Sequence, residues 1–148
     1  MRIITIDPGE HIGIVFTEDD KIKGLTLDGD TRNHKLWILL NEYQPDTVIY
    51  EQFALRASAA SKLVGDKFIT CEVIGVIKLY CQLKLIEPIC LLPLYKEYCG
   101  FSSNPKDPRY KKIEMVGAQK ITEHTRDAYR LYSYFNLFKN KINKLNCK

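Results

Sequence analysis

Apolar residues open the chain in short runs broken by acidic turns. Ile3, Ile4 and Ile6 predict a first strand, the segment from Asp7 to His11 a turn, and Ile12 to Phe16 a returning strand. A second polar turn at Glu18 to Asp20 leads into Ile22, Leu25 and Leu27, a third strand that ends on Asp28-Gly29-Asp30. These three segments predict an antiparallel meander. The period then changes. Thr31 is placed to cap a helix whose apolar stripe is Leu36, Trp37, Leu39, Leu40 and Tyr43, stopped by Pro45-Asp46. The run Thr47 to Tyr50 is β-branched and apolar on both faces, as a strand inside a sheet should be, and it ends on Glu51.

Residues 52 to 65 are rich in small side chains and read as a surface loop or a frayed helix start. From Asp66 to about Leu83 the apolar positions Phe68, Ile69, Val73, Ile74, Val76, Ile77, Leu79 and Tyr80 cover more than one helical face. One face suits the sheet, and the other suits a second chain. A last strand is expected in Leu85 to Pro93, then a Pro/Ser/Lys-rich loop from Lys96 to Lys112. A closing helix begins around Thr122 to His124 and carries Ala128, Leu131, Tyr132, Phe135 and Leu137. The pattern predicts an α/β fold. Its sheet is mixed and five-stranded, a three-strand antiparallel meander plus two parallel strands, flanked by helices.

Length and composition narrow the class. At 148 residues, 45% apolar and 27% charged, the chain has the makeup of one folded domain spanning 1–148. No stretch is apolar for long enough to span a membrane, and the opening residues do not read as a signal peptide, so the expected location is the cytoplasm. Five cysteines without a Cys-x-x-Cys pair predict mostly buried, reduced thiols. Net charge is +4, and the excess lies between Lys96 and Lys148, where Lys and Arg outnumber Asp and Glu more than two to one. That asymmetry suits a polyanionic partner as well as a plain solvated face.

Three acidic residues stand at the ends of predicted elements: Asp7 after the first strand, Glu51 after the fourth, Asp127 in the first turn of the last helix. Singly they read as a turn residue, a strand end and a complement to the helix dipole, and His124 as a cap. They converge if the first and fourth strands are neighbours. Gathered carboxylates raise one another's pKa unless a cation neutralises them. Hard oxygen donors suit Mg²⁺ or Mn²⁺, and two such ions roughly 3.5–4 Å apart can activate water and stabilise a leaving oxygen at a phosphodiester. That is nuclease chemistry.

Asp7-Pro8-Gly9, Glu51-Gln52 and His124-x-x-Asp127-Ala128, in this order and with these elements between them, resemble the signature of RuvC-type Holliday-junction resolvases of the ribonuclease H-like superfamily. The resemblance covers nearly the whole chain. It implies a homodimer that binds four-way DNA junctions and cuts two strands of like polarity, using two Mg²⁺ or Mn²⁺ ions per site and leaving 5′-phosphate nicks. Asp7, Glu51 and Asp127 would be ligands. His124 falls where many members have a fourth acid and some a histidine, as a ligand or a water-orienting group, with Glu123 beside it as a reserve ligand. The long helix after Glu51 would contribute to the dimer. Members typically carry an aromatic wedge where this chain has Ala54, with Phe53 one place early. The aromatic ending "HTRDAYRLYSYF" looks more like bacteriophage members, some of which debranch DNA broadly.

For DNA contact the candidates are Arg56, Ser58, Ser61 and Lys62 beside Glu51, and Lys96, Lys106, Arg109, Lys111, Lys112 and Lys120, with Lys62 and Lys96 preferred because they should lie near the acidic strand ends. Of Tyr95, Tyr98 and Phe101, two are expected in the core. A non-catalytic nucleic-acid-binding module and an RNA-processing nuclease on the same fold are the competing readings.

Overall fold

The computed structural model describes residues 1–53, 68–93, 95–100 and 102–145, with backbone only from 140 onward. A six-stranded mixed sheet has the spatial order β5-β4-β1-β2-β3-β6. The meander forms as expected: β1 (Ile3–Asp7), β2 (Ile12–Glu18) and β3 (Lys21–Leu27) pair antiparallel. On the other side of β1, β4 (Thr47–Glu51) and β5 (Ile89–Leu91) run parallel to it in turn. The five expected strands become six. Ile113–Met115 forms β6, parallel to β3, just past the stretch read as loop and before the closing helix. Three residues are too few to show a period, and the 3₁₀ turn Pro108–Lys112 that delivers them makes no helical stripe.

Period-two alternation divides the layers. Ile4, Ile6, Ile12, Ile14, Phe16, Leu25, Val48 and Tyr50 face one side, where α1 (Arg32–Tyr43) and α2 (Ile69–Lys84) cover them with Leu36, Leu40, Tyr43, Val73, Ile77 and Tyr80. Ile3, Val15, Ile49 and Ile113 belong to the opposite side. There α4 (Glu123–Leu145) lays down Ala128, Tyr129, Leu131 and Phe135, with Tyr95 of the short helix α3 (Tyr95–Tyr98) at one edge. The hydroxyl of buried Thr5, on β1, donates to the Ala128 carbonyl at 2.8 Å, fastening α4 to the centre of the sheet.

Several local expectations shift. Thr31 stands at the start of α1, but its side chain makes no capping hydrogen bond. α2 begins at Ile69 after exposed Phe68 and stops at Leu85, which takes a left-handed conformation (φ 56°). Cys81 and Cys99 are buried, whereas Cys71 and Cys90 are exposed, so burial of the thiols holds for only half of those described. Among the described residues no helix is long and apolar enough to cross a membrane.

Candidate functional site

The sheet register assembles the site. The last registered pair between β1 and β4 is Ile6 with Tyr50, so Asp7 and Glu51 follow side by side at the carboxyl ends of two parallel central strands. Both share the parity of Thr5 and Ile49, which puts them on the α4 side. The first turn of α4 brings His124 and Asp127 over the same strand ends. Asp7, Glu51 and Asp127 side chains are only 13%, 16% and 22% exposed.

Two glycines allow α4 to come this close. A Cβ on Gly13 would lie 2.1 Å from the His124 carbonyl oxygen, and one on Gly24 would meet Ile113 Cγ2 at 2.6 Å and Thr125 Cγ2 at 2.9 Å. Three threonines lock the helix start. Thr26 Oγ1 lies 2.9 Å from Thr122 Oγ1 and 3.0 Å from Thr125 Oγ1, while the Thr125 N–H donates to Thr122 Oγ1 at 3.2 Å, capping α4. Gln119 continues the edge of β3, its amide accepting from Thr26 N–H at 2.8 Å and donating to Thr26 O at 3.2 Å.

Each carboxylate has an appointed partner. His124 Nδ1 sits 3.0 Å from Asp7 Oδ2. The Tyr95 hydroxyl donates to Glu51 Oε2 at 2.6 Å. Lys96 Nζ bridges Glu51 (3.3 Å) and Asp127 (3.0 Å), and buried Arg130 donates to Asp127 Oδ1 at 3.2 Å and to the Lys96 carbonyl. Burial works against the Lys96 ammonium. Its hydrogen bond to Asp127 and the charges of Asp127, Glu51 and Asp7 outweigh that, and its pKa is raised. Burial, then the charges of Glu51 and Asp127, push the Asp7 carboxyl up to about 7 against the pull of His124 and Lys96. Tyr95, buried first and facing Glu51 second, titrates well above an ordinary phenol.

The donor set has the chemistry a hard divalent cation takes: Glu51 and Asp127 are near enough to Asp7 to raise its pKa by their charge, and they already hold one cation between them in the Lys96 ammonium. Among the described residues no three His, Cys, Asp or Glu side chains close around a common point, and Lys96 stands between Glu51 and Asp127. A metal ion held by Glu51 and Asp127 would share with that ammonium the oxygens it now occupies.

The predicted site residues Asp7, Glu51, His124, Asp127 and Lys96 are thus brought together, while Glu123 is exposed, 3.6 Å from His124 Nε2. Phe53, two residues past Glu51, is 38% exposed. Ala54, Arg56, Ser58, Ser61, Lys62 and Phe101 lie outside the described residues. Lys106, Lys111, Lys112 and Lys120 are exposed, the middle two on the turn before edge strand β6, and Arg109 is tied to Asp107 and the Gly100 carbonyl. Tyr95 is core and Tyr98 is 60% exposed. Sequence reasoning missed Arg130, the two glycines and the Glu51-binding role of Tyr95. The spacing of Gly13 and Gly24, both on the α4 face of neighbouring strands, was the available signal for a helix packed against backbone.

Comparison with solved structures decides the fold. RuvC of Thermus thermophilus, in complex with a Holliday junction substrate, superposes with a TM-score of 0.66 at 14% identity over 95% of this chain and 96% of that one. The chain has the fold of RuvC. The fowlpox virus resolvase, in a complex with Holliday junction DNA, matches with a TM-score of 0.57 at 16% identity over 91% of this chain and 99% of that one. The yeast mitochondrial Holliday junction resolvase matches at 0.54 and 14% identity over 96% and 80%. No protein-family model and no curated protein matches the sequence. The ribonuclease H-like α/β architecture expected from the motifs is therefore present, with one strand more than predicted.

Proposed function

We propose that residues 1–148 form one nuclease domain that resolves four-way and related branched DNA junctions by metal-dependent hydrolysis of phosphodiesters, a crossover junction endodeoxyribonuclease. The observation that carries this reading is the gathering of Asp7, Glu51 and Asp127 at the strand ends of a RuvC fold, with Glu51 and Asp127 sharing the Lys96 cation and Asp7 bonded to His124. Asp7, Glu51, Asp127 and His124 would hold two Mg²⁺ or Mn²⁺ ions, which when bound supply activation of the attacking water and stabilisation of the leaving oxygen. The chain's own residues prepare the place. Tyr95 fixes Glu51 through the same Oε2 that meets Lys96, Arg130 holds Asp127 by its other oxygen, Oδ1, and Lys96, freed from the carboxylates, is a cation at hand for a DNA phosphate. Phe53 is the aromatic group beside Glu51 that would open the junction.

Leu79 and Leu83, one turn apart on α2, are 51% and 64% exposed and belong to no core cluster of the described residues, a surface a homodimer would cover. We place the chain with bacteriophage members acting in the host cytoplasm, on its aromatic C-terminal helix.

Purified protein incubated with a synthetic four-way junction, a Y-fork and a linear duplex tests the reading. Paired 5′-phosphate nicks in the junction with Mg²⁺ or Mn²⁺, absent in EDTA and in Asp7→Asn and Glu51→Gln, are expected. Binding without cutting would assign a non-catalytic module instead, and cutting of RNA alone an RNA-processing enzyme.

A further inference from the structure

At the open side of the acidic cluster the fold sets a second histidine against the first. His11 lies in the turn between β1 and β2, one place beyond the registered pair Ile12 and Leu27, so the antiparallel register puts it opposite Asp28. His11 Nδ1 and Asp28 Oδ1 are 2.5 Å apart. His11 also has the parity of Gly13, whose missing Cβ lets the His124 backbone rest on β2. The two imidazoles consequently meet, with ring centroids 5.4 Å apart and planes tilted by 33°. His124 in turn reaches Asp7 through Nδ1 at 3.0 Å, and its Nε2 faces outward near Glu123. The result is a continuous row, Asp28, His11, His124, Asp7, running from an exposed turn into the buried carboxylates.

We propose that His11, anchored by Asp28, is a positioning residue for His124: the ring it lays against His124 selects the imidazole orientation in which Nδ1 engages Asp7 and Nε2 points to the open side beside Glu123. His124 needs such a neighbour. Its side chain is 30% exposed, so one face of the ring would otherwise be open to water and free to turn about its last torsion. An Nδ1–H given to a carboxylate leaves the Nε2 lone pair available, which is how a histidine is prepared as a ligand or a base. His11 itself is 55% exposed and belongs to no core cluster of the described residues, and Asp28 fixes it where a hydrogen bond to solvent would not.

This inference deepens the proposed nuclease reading and rests on it for its effect on rate, but not for its effect on His124. In metal-free protein without DNA, ¹⁵N-edited spectra of the imidazoles report orientation directly. Wild type is expected to show His124 as a single Nδ1–H tautomer. His11→Ala should give averaged nitrogen shifts, and His11→Phe, which keeps a ring against His124 but not the bond to Asp28, should restore them at least in part. With the four-way junction and Mn²⁺, His11→Ala should slow single-turnover cleavage two- to tenfold, leave junction affinity unchanged, and have no further effect in a His124→Ala background. Unchanged His124 nitrogen shifts in His11→Ala would overturn the proposal whether or not the protein cuts DNA. A rate loss that persists undiminished without His124 would also overturn it. Failure of wild type to cleave, with the spectra as expected, would instead count against the nuclease reading alone.

Discussion

Replacing Asp7 by Asn should stabilise the metal-free protein above neutral pH. Asp7 is held among Glu51, Asp127 and the sheet, and its carboxyl titrates at about 7 against an ordinary value of 3.8. The folded state thus binds this proton more tightly than the unfolded chain does. The contribution is fully favourable below pH 3.8, falls as pH rises between about 4 and 7, and above 7 leaves a charged, buried carboxylate that opposes folding. At about 1.4 kcal/mol per pKa unit, that penalty amounts to about 4 kcal/mol at its upper bound. Asparagine has the same shape, carries no charge and keeps an oxygen to accept from His124 Nδ1. In EDTA at pH 8, Asp7→Asn should therefore gain about 2–4 kcal/mol over wild type, a rise of roughly 5–10 °C in Tm for a chain of this size. At pH 4 the two should melt together. Differential scanning calorimetry across pH 4 to 8 measures the gap. An Asp7→Asn protein no more stable than wild type at pH 8, or a gap that does not close on acidification, would refute the reasoning. Millimolar Mg²⁺ should reverse the order by stabilising only the wild type.

Three further outcomes follow from the same geometry. Gly13→Ala should lift the first turn of α4 off β2, costing about 1–3 kcal/mol in urea titration and lowering cleavage more than Gly75→Ala, at an exposed glycine whose Cβ would meet nothing within 4 Å. Lys96→Met should leave Glu51 and Asp127 without their shared cation, lowering the metal-free Tm at pH 8 by a few degrees and raising apparent Mg²⁺ affinity; equal Mg²⁺ affinity would show that the ammonium does not compete with the ion. Metal uptake at pH 6 should release close to one proton, since Asp7 is then largely protonated, and almost none at pH 9, as read by calorimetry in buffers of different ionisation enthalpy.

Much of this was visible in the chain before the fold was known, for definite reasons. β1, β2 and β4 bury both faces or alternate cleanly, so their apolar runs mark them, and the acids that end β1 and β4 stand out against those runs. What stayed hidden depends on partners far apart in sequence. β6 has three residues and is a strand only because β3 offers it an edge. Thr26 and Gln119 look like ordinary polar residues until α4 is placed over them. The His11 and Asp28 pairing needed the exact register of β2 on β3, which hydrophobic patterning sets only to within the parity of a face. Arg130 reads as one surface charge among many basic residues, yet it is 7% exposed and spans Asp127, Cys99 and the Lys96 carbonyl.

The position of the acids explains why the site is both well made and costly. β1 is flanked by an antiparallel strand on one side and a parallel one on the other, so at its carboxyl end the parallel ends of β1 and β4 open beside each other at the centre of the sheet. Side chains sent out there share one parity, lie under the first turn of α4, and are fixed by backbone rather than by loops. That rigidity is what a charge-transferring site requires, and it also prevents the three carboxylates from moving apart. Lys96 compensates for one negative charge, shared between Glu51 and Asp127, on a four-residue helix whose Tyr95 is anchored in the core. Burial first, and then the remaining repulsion from Glu51 and Asp127, are expressed in the high pKa of Asp7. Lys96 and Arg130 set two positive charges against three carboxylates, which leaves the cluster short of positive charge, and a divalent ion held there would complete the balance that folding alone leaves unfinished.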